Sequence, residues 1–431
     1  MKFVGTLVSA PLWLLLFSVS LFAADGNWPQ WRGPQRDDVS SESGLLASWP
    51  DAGPPREWMF SDCGVGYSGP AVVDNRLYIM GGRDGNTELI CLDATDGHEL
   101  WSKSLGPILE NDWGDGPRST PTVDGEMIYA MAGRGNLVCL RKNDGSVVWT
   151  KAMNDLGGEV PKWGCAESPL VHEDLVLCTP GGDRGTIAAL DKHTGDVIWQ
   201  CQELTDLAHY SSIVLMKQAG KTIGVQLLQN QLVGFDVATG KLLWSTPWPG
   251  QVAVIPTPIV RGNQVYVTSG YGAGCMMVTI GDDVSVEPAY DNKVMGNQHG
   301  GVILLDDHLY GYSDRKGWTC QEFTTGEKIW QDKSVLGKGA IAFADGHFYC
   351  LTENEGEVVL IDATSDGWRE QGRFTLEPQT DLRKPKGKIW THPVIVGGRL
   401  YLRDQDLVYC YDVHDASENK VTSRPATGVA N

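Results

Sequence analysis

Ten side chains able to bind or react stand at recurring places along this sequence: Tyr67, Arg118, Trp163, Glu167, Tyr210, Gln298, His299, Lys338, Trp390 and His392. Most directly precede or open an apolar run, as in Tyr67-Ser68, Arg118-Ser119, Glu167-Ser168, Tyr210-Ser211, Gln298-His299, Lys338-Gly339 and Trp390-Thr391-His392. Packing alone would accept small residues there, so hydrogen-bonding, charged and aromatic groups at these places point to ligand binding. Trp113, Asp115, Trp163 and Asn297 lie in the longer segments that approach them. Arg83, Arg134, Arg184 and Arg315 occupy turns expected on the same side; with Arg118 and Lys338 they predict a basic funnel suited to a carboxylated ligand. Asp84, Asp183, Asp314 and Glu167 are close enough in sequence to neutralise them. Catalysis needs more than binding groups. His299 and His392 are candidate bases, yet no hydrolase elbow, phosphate loop, metalloprotease helix or Cys/His zinc spacing accompanies them. The catalytic residues therefore stay unassigned, and no metal site is expected.

The elements that must carry these groups come from a repeat. The segments CLDATDGHELW (Cys91 to Trp101), CLRKNDGSVVW (Cys139 to Trp149), ALDKHTGDVIW (Ala189 to Trp199), GFDVATGKLLW (Gly234 to Trp244) and CQEFTTGEKIW (Cys320 to Trp330) share one template. An apolar strand end leads through a turn ending in Gly to a strand closed by Trp. The tryptophans are separated by 48, 50, 45 and 86 residues, and the last gap implies a degenerate copy. Gly97, Gly145, Gly195, Gly240 and Gly326 suit positive φ in a tight hairpin, Asp93, Asp191 and Asp236 suit acceptance of turn amides, and the tryptophans are assigned to packing between repeats.

Two more strand-like runs precede each template, as in Gly69 to Gly82 and Thr120 to Gly133, so each repeat offers four strands. The expected fold is all-β: an eight-bladed β-propeller of four-stranded antiparallel blades. An eighth repeat begins at Thr391 but lacks a closing Trp strand, and Arg56 to Phe60 (REWMF) resembles that strand. The ring should therefore close with the N-terminal strand inside the last blade, which removes exposed edges. The expected organisation is a signal peptide at 1–24, one propeller at 25–414 and a disordered tail at 415–431.

The leader has one charge, Lys2, an apolar run from Leu12 to Phe22 and small residues at Ala23-Ala24, which predicts export to the periplasm or outside without stable membrane insertion. Its removal leaves 34 basic against 54 acidic residues, a net charge of about −20. That balance excludes nucleic acid as a general partner. Ten cysteines in an exported chain raise the question of disulfides, but Cys91, Cys139, Cys320 and Cys410 fall at one place in successive repeats, too far apart to bridge. They are expected as buried free thiols.

The template resembles the Ala-x-Asp-x-x-x-Gly-x-x-x-Trp docking motif of pyrroloquinoline-quinone-type propellers, matched at Ala189, Asp191, Gly195 and Trp199. The opening WPQWRGPQRD (Trp28 to Asp37), the GPRSTP of the second repeat and the HGG of the sixth are similar to exported quinone-repeat proteins. The resemblance implies one of two activities. One is a quinoprotein dehydrogenase using pyrroloquinoline quinone and Ca²⁺ on an alcohol or sugar. The other is a scaffold like the propeller lipoprotein of outer-membrane barrel assembly. The sequence departs from the first in having no adjacent cysteines or haem segment, and from the second in having no lipid-modified cysteine. For calcium the mouth offers Glu167 and Asn297 as oxygen ligands, with Asp115 a candidate base, where six to eight oxygens are wanted. The expectation is a monomeric binding scaffold for a small ligand or an envelope protein or peptide, with the dehydrogenase as the alternative.

Overall fold

The computed structural model describes residues 26–416; the expected leader and the tail beyond residue 416 lie outside the described residues. Eight four-stranded antiparallel sheets form an eight-bladed propeller. The first blade comprises Ala71–Val73, Arg76–Arg83, Asn86–Asp93 and Glu99–Pro107, innermost strand first. The eighth comprises Val394–Val396, Arg399–Asp404 and Leu407–Asp412, and its outer strand is Arg56–Phe60, paired with Trp58 opposite Cys410 and Phe60 opposite Val408. The expected closure is present. Among the described residues, no helix is long and apolar enough to cross a membrane.

The core is divided into eight apolar wedges, each between two neighbouring blades. One holds Ile79 and Ile90 of the first blade against Val394, Tyr401 and Val408 of the eighth. The repeat template explains how blades dock. A Cβ on Gly145 would lie 2.7 Å from the Trp101 ring, and one on Gly195 would lie 2.7 Å from Trp149. Trp101, Trp149 and Trp199 thus cover the turn glycine of the next blade, at positive φ (67° at Gly145, 73° at Gly195) and with no room for a side chain. Trp58 covers Gly97 in the same way, so the eighth blade docks on the first. In the degenerate fifth blade Tyr290 stands where six of the others have Trp, covers Gly326, and donates its hydroxyl to Phe323 O at 2.8 Å; the seventh blade has Gly372 at this place. All ten cysteines are buried and free.

One feature has no counterpart in the sequence reading. Residues 27–45 enter the central channel from the face carrying the first-to-second strand turns, cross it, and leave on the same face. The backbone of Trp28 pairs with Val72 of the first blade, Val123 N of the second donates to Pro29 O, and Phe343 N of the seventh donates to Asp38 O. Side chains complete the plug. Arg32 donates to Val302 O at 2.6 Å and Arg36 to Ser168 O at 2.7 Å, while the Trp31 indole donates to Thr257 at 3.0 Å. Arg32 and Asp38 form a buried ion pair at 2.5 Å, and His392 reaches the same carboxylate at 2.9 Å. A long-range plug of this kind satisfies inner-strand groups that an open channel would leave to water. The channel is closed from this side and the opposite mouth becomes a cup.

Candidate functional site

Innermost strands run away from the mouth and second strands return to it, so residues before each first strand and in each second-to-third strand turn meet there. Trp390, in the approach to the eighth blade, is the hub. Its ring stacks on His299 with centroids 4.6 Å apart and planes 16° apart, and lies 5.0 Å from Tyr67 and 6.5 Å from Trp113. The Arg118 guanidinium sits 5.2 Å over the Tyr67 ring, where the positive group meets the negative face of the π system. Trp163 and Tyr210 form a second pair at 5.8 Å, and the Tyr210 hydroxyl accepts from Trp163 N at 3.4 Å. Together they make an aromatic crescent on the side of blades eight, one, two and three.

The facing arc is polar. Lys338 lies 3.1 Å from Asp314 and 4.0 Å from Glu353, and donates to the Gln298 side chain, whose amide donates to Asp314 at 2.5 Å. The Trp390 indole donates to Glu353 at 3.2 Å, which ties the arc to the crescent. Burial first, then Lys338, His392 and Arg118, push the His299 imidazole down to about 3, so the ring on Trp390 is neutral at any physiological pH. Burial raises the Tyr67 hydroxyl, and pushes that of Tyr210 up to about 12.

The basic funnel expected from the sequence does not form. Arg83 pairs with Glu99 at 2.9 Å, and Arg118 gives its two terminal nitrogens to Gly116 O and Gly114 O at 2.9 and 2.8 Å. Arg184 donates to Asp155 O, and Lys338 is held between two carboxylates. Four of the six cations are thus committed to the frame, while Arg134 and Arg315 stand exposed in their turns. Beside them the rim carries apolar groups: Trp113, Val160, Leu207, Val252, Tyr271 and Leu382 are all exposed on connections or turns of this face.

Of the ten residues singled out by sequence, Tyr67, Arg118, Gln298, His299, Lys338 and Trp390 are joined in one network, with Trp163 and Tyr210 beside it. Glu167 and His392 lie beneath, buried and bonded to the scaffold. Glu167 accepts from Thr179 N at 2.6 Å and from its hydroxyl at 2.8 Å, and His392 bridges Asp38 and His299 O. Glu353 and Tyr271 were missed. Both sit in second-to-third strand turns, where the charged residues expected from sequence were Arg83, Arg134, Arg184 and Arg315 with their neighbouring aspartates.

Residues 57–132 and 85–332, more than half the chain together, match the family model described as outer membrane protein assembly factor BamB. The chain belongs to this quinone-repeat propeller family. Among solved structures, BamB from Moraxella catarrhalis aligns with a TM-score of 0.57 at 16% identity, over 80% of this chain and 96% of that one. Quinohemoprotein alcohol dehydrogenase from Comamonas testosteroni aligns with a TM-score of 0.62 at 12% identity, over 95% and 83%. The computationally designed Ika8 protein aligns at 0.56 and 11%, over 83% and 100%. At these identities the likeness is one of fold. No curated protein matches the sequence.

The donor set of this quinone-repeat propeller does not fit the calcium that accompanies the quinone. Both Glu167 oxygens are taken by Thr179, and the Gln226 amide stands 3.4 Å from one of them. Asn297 gives its amide nitrogen to Gly301 O and Tyr312 O and keeps a buried, unpartnered Oδ1, a single oxygen where roughly six to eight are wanted, and Asp115 is paired with Lys384 at 2.8 Å. Among the described residues, the one group of three His, Cys, Asp or Glu with ligand atoms within 4.8 Å of one another is Asp93, Asp96 and His98, in a turn on the opposite face. Nor do the buried single cysteines offer a vicinal pair to cover a quinone.

Proposed function

We propose that this propeller is an exported binding scaffold whose mouth takes a loop or extended peptide of an envelope protein. The observation that carries the reading is the aromatic crescent of Tyr67, Trp113, Trp163, Tyr210 and Trp390 inside an apolar rim. Rigid aromatic faces give contact area at low entropic cost, and buried aromatic anchors dominate binding energy at protein interfaces. An exposed apolar ring on an acidic protein is a recurrent mark of such a surface. The plug gives the cup a floor, so a partner enters it and does not thread through. The apolar leader at 1–24 supports export.

The test is selection of a displayed random-peptide library on the purified protein and on a Tyr67→Ala/Trp390→Ala double variant. Peptides of micromolar affinity that lose at least about tenfold on the variant support the assignment. Peptides that bind both proteins equally would remove the mouth from consideration. In parallel, calorimetric titration with pyrroloquinoline quinone and Ca²⁺ should give no saturable heat. Micromolar binding with substrate-dependent dye reduction would replace the scaffold by a dehydrogenase.

A further inference from the structure

The plug leaves part of the channel unfilled on the face opposite the mouth. A cavity of about 470 Å³ lies there, bounded on one side by Gln30 and the plug turn from Pro34 to Asp37, and on the other by the innermost strands of blades three to six. The plug's backbone bonds go to blades one, two and seven, and this void lies where its backbone has left the opposite strands uncovered. The volume is within the range of small-molecule sites, roughly 300 to 1,000 Å³.

Its lining has two sides. Leu170, Val214, Ile259, Val260 and Leu304 supply apolar walls from the inner strands, and the plug supplies polar groups, Gln30, Gln35, Arg36 and the one carboxylate, Asp37. The neighbouring charges of the plug are spent elsewhere. Arg32 is paired with Asp38, and Arg36 points its guanidinium to Ser168 O and Pro169 O, on the Glu167 side. Asp37 accepts one backbone bond, from Val39 N to Oδ1 at 3.1 Å, and makes no ion pair among the described residues. Burial raises its pKa, outweighing the Val39 hydrogen bond and the more distant charge of Arg32.

We propose that this cavity is a second ligand site, separate from the mouth, for a compact molecule with an apolar body and a protonated amine. The apolar body fills the space between the inner strands, and the ammonium group pairs with Asp37. A neutral ligand of the same shape leaves that carboxylate without a partner, and an anionic one is repelled by it.

A matched series tests this on the full mature protein: 4-phenylbutylamine, 4-phenylbutanol and 4-phenylbutyrate, titrated by calorimetry near neutral pH. The amine should bind saturably and at least about tenfold more tightly than the alcohol, with the carboxylate weakest. Asp37→Asn should bring the amine down to the affinity of the alcohol and leave the alcohol within about twofold. Gln35→Trp, at an exposed plug position lining the cavity, should weaken amine and alcohol alike by obstruction. Far-UV circular dichroism and melting of both variants separate these effects from misfolding. Equal binding of all three probes, no saturable binding of the amine, or amine binding indifferent to both substitutions would overturn the proposal.

Discussion

Replacing Glu167 by glutamine removes one proton equilibrium from the floor of the cup and keeps the side chain's shape. Burial pushes the native carboxyl from its ordinary value of 4.5 up to about 7, against the lowering effect of the Thr179 hydrogen bonds and of Arg36. The native state therefore holds this proton more tightly than the unfolded chain does. Stability must fall as pH rises, starting near the unfolded pKa and ending just above the native one. A gap of about 2.5 in pKa at about 1.4 kcal/mol each sets the full effect at about 3 to 4 kcal/mol. Because the side chain is buried, solvent screening does not reduce this. Between about pH 5 and about pH 8.5 the part that changes is about 2 to 3 kcal/mol. Urea denaturation at both pH values should show Glu167→Gln gaining that much on the parent as pH rises, whatever constant cost the amide brings at Thr179. A difference that stays constant within about 0.5 kcal/mol would refute the reasoning. The same pair of proteins tests the metal argument. A calcium ligand must be ionised, so calcium at Glu167 would raise the melting temperature of the parent and not of the variant; no such rise is expected.

Trp58→Ala, which strips the cover from Gly97 at the ring closure, should cost about 3 to 5 kcal/mol in chemical denaturation, and a loss below about 1 kcal/mol would mean that closure does not rest on this docking. Arg32→Met strands the buried Asp38 carboxylate with His392 alone and should cost about 3 to 5 kcal/mol, with at least half recovered by adding Asp38→Leu; no recovery would show that the plug is held by something other than this pair. All ten thiols should be silent to a thiol reagent in the native protein and react in denaturant, with a melting temperature unmoved by reductant; a reductant-dependent shift would point to a disulfide.

The fold was legible because its information is local and repeated. A turn glycine and a Trp four residues on define a blade, and the structure shows each such glycine under the ring of the preceding blade. Even the degenerate fifth blade followed from the 86-residue gap, since Tyr290 keeps the packing role without the Trp letter. Closure by Arg56–Phe60 was readable for the same reason, because Trp58 repeats the outer-strand pattern. The plug was not readable. WPQWRGPQRD has neither a strand nor a helix period, and its side chains bind carbonyl groups far away in sequence, Arg32 at Val302 and Arg36 at Ser168. Such partners are set only when the ring has closed.

The mouth shows why the list of polar residues could be right in place and misleading in sign. Position before an inner strand fixes where a side chain emerges, so Tyr67, Arg118, Gln298, His299, Lys338 and Trp390 do converge. It does not fix what each group meets on arrival. Arg83 meets Glu99, Arg118 meets two carbonyl oxygens, and Lys338 meets Asp314 and Glu353. Those three charges, satisfied by the frame, position the aromatic rings, and of the expected funnel Arg134 and Arg315 stay exposed in their turns. On the proposed reading, affinity at the mouth rests on the exposed Trp113 and the part-exposed Trp163 and Trp390, with the buried Tyr67 packed behind them. At the far end of the channel the logic is reversed: Asp37 makes no ion pair among the described residues and faces apolar strands, which is why a cationic ligand is proposed there.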